Sequence, residues 1–183
     1  MNILKIIIRR LLIKIGLIHE DYTSIDSLRK RGVKIGENVD ILDSLIDWNF
    51  GFLCSIGNNV TLTGVRILTH DASTKKFLGY SKIGKVEIGN NVFVGKGSII
   101  LPDVKIGDNV IVGAGTVVAK DVPSNVVIVG NPWRIICTFD EYISRHKANM
   151  NYRPVYNLFW DKLTEEEKTI ISEGVNSGYC YIY

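Results

Sequence analysis

The strongest constraint on the fold of this chain is an aliphatic residue that recurs at every sixth position from residue 88 to residue 118. The series consists of Ile88, Val94, Ile100, Ile106, Val112 and Val118. A second series of small or β-branched residues runs two positions earlier: Val86, Val92, Ser98, Val104, Val110 and Thr116. A period of six fits neither an amphipathic helix nor an isolated strand, whose apolar spacings are 3–4 and 2. The repeat therefore predicts short strands that stack on one another.

Weaker blocks of the same repeat lie upstream, over Val33–Ile41 and Ile56–Leu68. The phase changes between blocks, which predicts two loops that leave the repeat, from Leu42 to Ser55 and from Thr69 to Lys85. Turn residues occur at the corners, as Gly-Asn-Asn or Gly-Asp-Asn. Units of six stack when three of them complete one turn of a triangular coil, and stability then comes from neighbouring coils. A β-sandwich would not keep a period of six over this length.

Composition agrees with this prediction and excludes several functions. The 183 residues include 26 Ile, 18 Val and 17 Gly, which favours strands and tight turns. The chain has 22 basic and 19 acidic residues, a net charge of +3, whereas a nucleic-acid-binding protein normally has a clear excess of basic residues. No nucleic-acid partner is therefore predicted. Three widely spaced cysteines without a CxxC pair give neither a disulfide framework nor a zinc site, and they favour a reducing cytoplasm.

The flanks of the repeat differ from it. Residues 3–18 have apolar side chains on one helical face and mostly basic ones opposite, which predicts an amphipathic helix interrupted too often by charge to span a membrane. Such a helix fits either an anionic membrane surface or packing against the protein or a neighbouring subunit. Helices are predicted over 139–147 and from the capping box at Thr164 to about Gly174. The expected domains are 1–31, 32–137 with a loop at about 69–85, and 138–183.

Several motifs resemble those of the hexapeptide-repeat acyltransferases. They are ILTHDAS at 67–73, the repeats and closing VGNP over 86–132, and WRII at 133–136. The chain looks most like the bacterial sugar and polysaccharide O-acetyltransferases of that family. The resemblance implies a left-handed parallel β-helix, a homotrimer, acetyl-CoA as donor, and a cytoplasmic location that includes the inner face of the membrane. The implied acceptor is a sugar hydroxyl of a polysaccharide precursor or glycan.

His70 is the candidate catalytic base, because it follows the repeat at the start of a loop and matches the base position of the family. A base for a hydroxyl must be neutral near pH 7 and able to take a proton, which suits histidine. Two carboxylates are candidates to orient it, the adjacent Asp71 and Asp47 in the loop LIDWNFGF. Asp47 is equally well explained by an Asx turn, and Trp48 and Asn49 are candidate acceptor contacts.

The resemblance also implies a donor site along the final coils. Gly95 and Ser98 are expected beside the pantetheine, and Gly113, Ala114 and Ala119 are expected to give backbone contacts. Lys120 and Arg134 are expected to meet phosphates, since fixed cations anchor a polyanionic ligand. The family commonly has alanine where this chain has Trp133.

Other functions of a hexapeptide-repeat fold would need different residues. A carbonic anhydrase of similar repeat needs three zinc-binding imidazoles, whereas this chain has three histidines in all and two of them lie outside the repeat. We therefore predict no metal. A non-catalytic β-helix would need neither the THD motif nor the basic donor-side residues. N-acetylation of a nucleotide-linked amino sugar stays open as the alternative reaction.

Overall fold

A computed structural model describes residues 24–176 and 178–183, so the predicted helix over 3–18 lies outside the described residues. The described chain forms two compact units, one ending at Ile136 and the other covering Cys137–Tyr183. The first unit begins with α1 (Ile25–Lys30), whose first turn is capped by the hydroxyl of Ser24, and continues into short strands.

Three sheets of mostly parallel strands form the sides of a triangular coil. One contains β1 (Lys34–Ile35), β4 (Cys54–Ile56), β9 (Val86–Ile88) and β12 (Val104–Ile106). The second contains β2 (Val39–Leu42), β5 (Val60–Thr63), β10 (Val92–Val94), β13 (Val110–Val112), β15 (Val126–Gly130) and β16 (Trp133–Thr138). The third contains β3 (Leu45–Ile46), β6 (Arg66–Ile67), β11 (Ile99–Ile100) and β14 (Val117–Val118). The predicted stack of short strands is confirmed.

The core lies inside this coil. All twelve members of the two six-residue series are buried. In the later coils a strand pairs with the strand three six-residue units further on, as Val92 does with Val110. Because each buried aliphatic contacts its equivalents in the coils above and below, no single coil has a core of its own.

A ladder of asparagine side chains runs along one corner. The Nδ2 group of Asn38 donates to Asn59 Oδ1 (3.1 Å), and the pattern repeats through Asn91 and Asn109 to Asn125. All five residues have positive φ, between 53° and 63°. Asparagine tolerates this left-handed conformation, and it also provides one donor and one acceptor for the neighbouring coils.

The corner glycines have a different role from the asparagines that follow them. A Cβ added to Gly57 would lie 2.6 Å from Gly89 O in the next coil, which is closer than real Cβ contacts allow. Gly57 has no positive φ, so it is required for close approach of the coils, while Asn59 takes the positive φ of the turn.

The first predicted interruption, Leu42 to Ser55, is wrong in its first part. Leu42 belongs to β2, and Leu45–Ile46 form β3, which pairs in register with β6. Only the segment that follows, 47–53, leaves the repeat, and it includes a 3₁₀ turn at Gly51–Leu53. The buried position of this coil is occupied by Ser44, whose hydroxyl bonds to Leu42 O and Val65 N. A polar residue at a core position hid the strand from a hydrophobic pattern.

The second predicted interruption, Thr69 to Lys85, is confirmed. β7 (His70–Asp71) and β8 (Lys82–Ile83) form an antiparallel hairpin, and the short helix α2 (Lys75–Leu78) lies between them. The coil continues after the hairpin, since β5 before it pairs with β10 after it and Val60 lies opposite Val92. Gly84 N donates to Thr69 O at 2.9 Å and closes the base of the hairpin.

The second unit contains α3 (Phe139–Asn149), α4 (Glu165–Gly174), a 3₁₀ turn at Trp160–Lys162, and the parallel pair β17 (Val155–Tyr156) and β18 (Tyr181–Ile182). Both helices predicted for this region are confirmed. Each begins with a capping box, Thr138 with Glu141 and Thr164 with Glu167.

Candidate active site

The two interruptions of the coil bring His70 and Asp47 together. Asp47 directly follows β3, and His70 lies shortly after the end of β6. Both residues therefore lie where strands of the third sheet end. The Nδ1 atom of His70 is hydrogen-bonded to Asp47 Oδ2, and the Asp47 side chain is only 3% exposed against 34% for His70. The ring of Phe50 packs beside the imidazole, with the centroids 5.3 Å apart.

Hydrogen bonds keep the Asp47 carboxylate ionised. Burial by itself would raise the pKa of Asp47, but hydrogen bonds from His70 and Thr69 lower it below its ordinary value. Thr69 contributes both its backbone N–H (3.2 Å) and its hydroxyl (3.0 Å) to Oδ2. An ionised carboxylate only accepts, so His70 donates from Nδ1, and the tautomer of a neutral imidazole that does so has its lone pair on Nε2.

Both explanations of Asp47 from sequence apply, one to each oxygen. Oδ2 contacts His70, while Oδ1 accepts a hydrogen bond from Asn49 N at 3.2 Å, as in an Asx turn. Asp71 is oriented elsewhere: its Oδ1 accepts from Ser73 N at 2.8 Å, and its Oδ2 lies 3.9 Å from Lys82 Nζ. The structure thus places Asp47 on His70 Nδ1 and turns the Asp71 carboxylate toward the hairpin.

A cleft of about 340 Å³ opens beside this pair. Trp48 and Asn49, the candidate acceptor contacts, are in its lining. The complete lining is Arg31, Leu45, Ile46, Asp47, Trp48, Asn49, Arg66, Ile67, Leu68 and His70. Sequence analysis missed Thr69, Phe50, Arg31 and Arg66. Thr69 sits inside the THD motif and was detectable there. Arg31 precedes the first repeat block and Arg66 lies within the second, so no pattern in the sequence connects them.

The residues expected to bind acetyl-CoA lie in the later coils, and their exposure differs from one to the next. Ala114, Ala119, Lys120 and Arg134 are exposed. Lys120 Nζ lies 4.8 Å from the centre of the Trp133 ring, which is a cation–π contact. Gly95 is buried, and a Cβ there would lie 2.7 Å from Ala114 N. Gly113 is half-buried.

The Ser98 side chain lies inside the coil, and its expected contact with the donor stays a prediction. Its side chain is fully buried, and the hydroxyl donates to Gly113 O (3.1 Å) and accepts from Thr116 N (3.3 Å). These bonds hold two coils together at the corner where the preceding coil has the buried Val65. The Ser98 hydroxyl faces the interior.

The buried Cys54 is not suited to act as a nucleophile. Burial raises the pKa of the Cys54 thiol to about 12, so it stays protonated at neutral pH. Among residues 24–176 and 178–183 no group of three or more His, Cys, Asp or Glu side chains is arranged to hold a metal. None of the helices in those residues has the length and apolar character needed to cross a membrane.

Comparison with known proteins identifies the family. The sequence model described as bacterial transferase hexapeptide (six repeats) matches residues 85–120. Protein CapG of Staphylococcus aureus is 44% identical over 140 residues, which cover 72% of this chain and 81% of CapG. The chain belongs to the hexapeptide-repeat acetyltransferases. A putative acetyltransferase of Bacillus subtilis, YvoF, is 41% identical over 120 residues, covering 64% of this chain and 67% of YvoF.

One solved structure supports the fold of this hexapeptide-repeat acetyltransferase. A hexapeptide-repeat acetyltransferase of Vibrio cholerae, solved in complex with acetyl coenzyme A, superposes with a TM-score of 0.56. It is 19% identical in sequence, and the match covers 71% of this chain and 84% of that protein. The predicted fold class, mainly β with a left-handed parallel β-helix, is confirmed.

Proposed function

We propose that this acetyltransferase moves an acetyl group from acetyl-CoA to a sugar hydroxyl of a polysaccharide precursor or glycan. The observation that carries the proposal is the His70–Asp47 pair at the edge of a cleft. The imidazole is oriented by a buried carboxylate and a third of its side chain is exposed. This is the arrangement that general-base catalysis on a hydroxyl needs.

His70 acts by moving one proton. Its Nε2 takes the proton of the acceptor hydroxyl as the oxygen attacks the thioester carbonyl carbon, and Asp47 stabilises the imidazolium that forms. When the tetrahedral intermediate collapses, the carbon–sulfur bond breaks and His70 returns the proton to the departing thiolate. Acetyl-CoA supplies the activated acetyl group. No acyl-enzyme is required, in keeping with the raised pKa of the buried Cys54 thiol.

The donor binds along the final coils in this proposal. Ala114 and Ala119 present little side chain there, which allows an extended pantetheine to lie close to the backbone. Lys120 and Arg134 meet phosphate groups, and Gly95 and Gly113 keep the adjacent coils in close contact. The fit rests on an observation of this chain, the exposed cations beside Trp133 next to a surface of small residues.

Assembly and location complete the proposal. Phe93 and Ile111 are register partners on the outer face of the second sheet, and Phe93 is 45% exposed, which favours burial of this face in a homotrimer. Sedimentation equilibrium of the full chain tests the trimer. We place the enzyme in the cytoplasm, with residues 3–18 as the segment that contacts the inner membrane face. Flotation with anionic vesicles, with and without residues 1–20, tests that contact.

The reaction is tested by following thiol release from acetyl-CoA with sugars, nucleotide sugars and lipid-linked oligosaccharides. With the best acceptor, we expect His70→Ala to lower turnover by about 10²–10⁴-fold while the chain stays folded at the assay temperature. His146→Ala, which removes an imidazole from the second unit, serves as the control and keeps turnover within threefold. Full turnover by His70→Ala would contradict the assigned base.

The bond formed is tested on the same product. Hydroxylamine removes an acetyl ester but leaves an acetamide intact, so release of the labelled acetyl group identifies a hydroxyl acceptor. A hydroxylamine-resistant product would instead identify N-acetylation of an amino sugar.

A further inference from the structure

Thr69 lies at the point where the chain leaves the coil for the hairpin. The residue before it is still in the coil, since Leu68 N donates to Ile100 O at 2.9 Å. The residue after it, His70, opens β7. Thr69 itself is completely buried, although its side chain carries a hydroxyl. A buried hydroxyl is costly unless it forms hydrogen bonds, so the bonds that Thr69 makes indicate its role.

The polar groups of Thr69 bond to both interruptions of the coil. Its backbone N–H donates to Asp47 Oδ2 at 3.2 Å, and its carbonyl accepts from Gly84 N at 2.9 Å. The hydroxyl has a single hydrogen and two acceptors within reach, Asp47 Oδ2 at 3.0 Å and Phe50 O at 3.1 Å. Thr69 therefore joins the two interruptions, and it does so at the carboxylate of the candidate site.

The Thr69 hydroxyl also acts on the charge of that carboxylate. Burial raises the pKa of Asp47, while hydrogen bonds from His70 and from the Thr69 side chain and backbone lower it below its ordinary value. The atom to which Thr69 donates, Oδ2, is also the one that bonds to His70 Nδ1. Loss of the hydroxyl would leave a more basic carboxylate with one bond fewer to hold it in place.

We propose that Thr69 is a positioning residue of this enzyme, whose hydroxyl holds the Asp47 carboxylate in the orientation and the ionised state that His70 needs. The proposal rests on the function proposed above and adds a residue to it. Thr69 is completely buried, so it does not touch the acceptor and acts through Asp47. A group that acts in this way should affect kcat more than KM.

Two variants separate the hydroxyl of Thr69 from its methyl group. Thr69→Val keeps the shape of the side chain and removes the hydroxyl, whereas Thr69→Ser keeps the hydroxyl and removes the methyl group. We expect kcat to fall by about tenfold in Thr69→Val, with KM within about twofold, and to stay within about threefold in Thr69→Ser. Equal losses in the two variants would indicate a packing role and contradict the proposal.

The valine variant leaves the neighbouring carbonyl with a partner. Phe50 O also accepts from Leu53 N at 3.0 Å, so the loss of the Thr69 hydroxyl does not leave this carbonyl unpaired. Circular dichroism at the assay temperature checks that each variant is folded. If Thr69→Val does not fold, Thr69→Ser and Thr69→Ala give the same comparison, because these two differ only in the hydroxyl. Equal kcat in that pair would likewise overturn the proposal.

The effect on the carboxylate is measured without any substrate. Carbon NMR of the Asp47 carboxyl group as a function of pH gives its pKa, and Asp47→Asn assigns the signal. We expect the pKa of Asp47 to rise in Thr69→Val and to stay near the wild-type value in Thr69→Ser, since a hydrogen bond to the charged form favours that form. An unchanged pKa in Thr69→Val would show that the hydroxyl does not act on the carboxylate.

Other charges around the site are the same in these variants. Asp71 on β7 acts on His70 and lies 3.9 Å from Lys82 on β8, while Arg31 and Arg66 are in the lining of the cleft. Neither Thr69→Val nor Thr69→Ser changes any of these groups. A difference in the pKa of Asp47 between the two variants is therefore attributed to the hydroxyl.

Thr74→Val is the matched control in the same hairpin. The Thr74 hydroxyl donates to Tyr80 O at 2.8 Å, so the variant also loses one bond from a hydroxyl to the hairpin. We expect kcat within about twofold of the wild type and an unchanged pKa of Asp47. A loss of kcat as large as that of Thr69→Val would mean that any weakening of the hairpin impairs turnover, which would overturn the specific role of Thr69.

The role of Thr69 and the proposed function fail in different ways. Full kcat in Thr69→Val, with thiol release still dependent on His70, would overturn the positioning role and keep the acetyltransferase. Absence of His70-dependent thiol release with every acceptor would overturn the proposed function itself.

Discussion

The coils before residue 85 and the coils after it use the same repeat with different regularity. From Val86 to Val118 equivalent strands are three six-residue units apart, as for Val92 and Val110. Before it the separations are longer, since Val39 pairs with Val60, and Val60 pairs with Val92 across the hairpin. The additional residues form the segment containing Asp47 and the hairpin that begins with His70. Regular coils supply the rigid frame, and the insertions supply the side chains of the candidate site.

The largest effect on the free energy of unfolding is expected from substitutions in the regular coils. Ile100 is fully buried between equivalent strands, so Ile100→Ala is expected to lower the free energy of unfolding by about 2–5 kcal/mol. Phe77→Ala in the hairpin, where the side chain is 81% exposed, is expected to change it by less than about 0.5 kcal/mol. Urea unfolding of the two variants measures both. Similar losses for the two would mean that the hairpin and the coils are not distinct in stability.

The next effect concerns the two carboxylates of the interrupted coils. Asp47→Asn keeps the size of the side chain but removes the charge that orients His70, so we expect kcat to fall by about 10–100-fold with little change in KM. Asp71→Asn is the matched control, and its kcat should stay within about threefold. Steady-state kinetics with the best acceptor measure kcat and KM for both variants. A larger loss for Asp71→Asn would make Asp71 the positioning residue.

The asparagine ladder crosses both kinds of coil and allows a finer comparison. Asn91 makes two ladder hydrogen bonds and Asn38 makes one, at the end of the series. Asn91→Ala is expected to cost about 1–3 kcal/mol through lost hydrogen bonds and the positive φ. Asn91→Gly should cost less, because glycine relieves the backbone strain, and Asn38→Ala should also cost less. Thermal unfolding of the three variants checks the order, which an equal cost at both sites would contradict.

The smallest effect is a pH dependence that belongs to the interrupted coils. The folded state holds the pKa of Asp47 below its ordinary value, so this group stabilises the fold above its unfolded pKa of about 3.9. That contribution is lost as the pH falls through the folded pKa. The difference in unfolding free energy between the wild type and Asp47→Asn should therefore shrink below about pH 4. A difference that stays constant from pH 6 to pH 3 would show that Asp47 is not stabilised in its ionised form.

The regular coils were predictable from sequence because their period is carried by aliphatic residues at fixed spacing. β3 was not, since Ser44 occupies the buried position and satisfies its hydroxyl with backbone groups. The corner glycines were found, but their reason, the close approach of the next coil, is a property of stacked backbones that one sequence does not display. Patterns of hydrophobicity reveal what fills the interior and miss polar groups that bond within it.

The candidate site was predictable in part. His70 followed from its motif, and Asp47 from the loop that carries it, but the choice between Asp47 and Asp71 required geometry. Asp71 is adjacent to His70 in sequence, yet its carboxylate bonds to Ser73 N in the hairpin. Arg31 directly follows α1 and Arg66 lies on β6, and only the coil brings them to one cleft. Contacts between successive coils depend on the exact lengths of the insertions, which a repeat pattern does not specify.

The asparagine ladder gives the molecule a direction. Every amide from Asn38 to Asn109 donates toward the next coil, so the row begins with an unused acceptor and ends with an unused donor among the described residues. If a whole coil were inserted among the later ones, the asparagine at its corner could accept a hydrogen bond from the coil before it and donate one to the coil after it. We therefore expect the row to accommodate one more whole coil of the same length and to be broken by the insertion of a single residue.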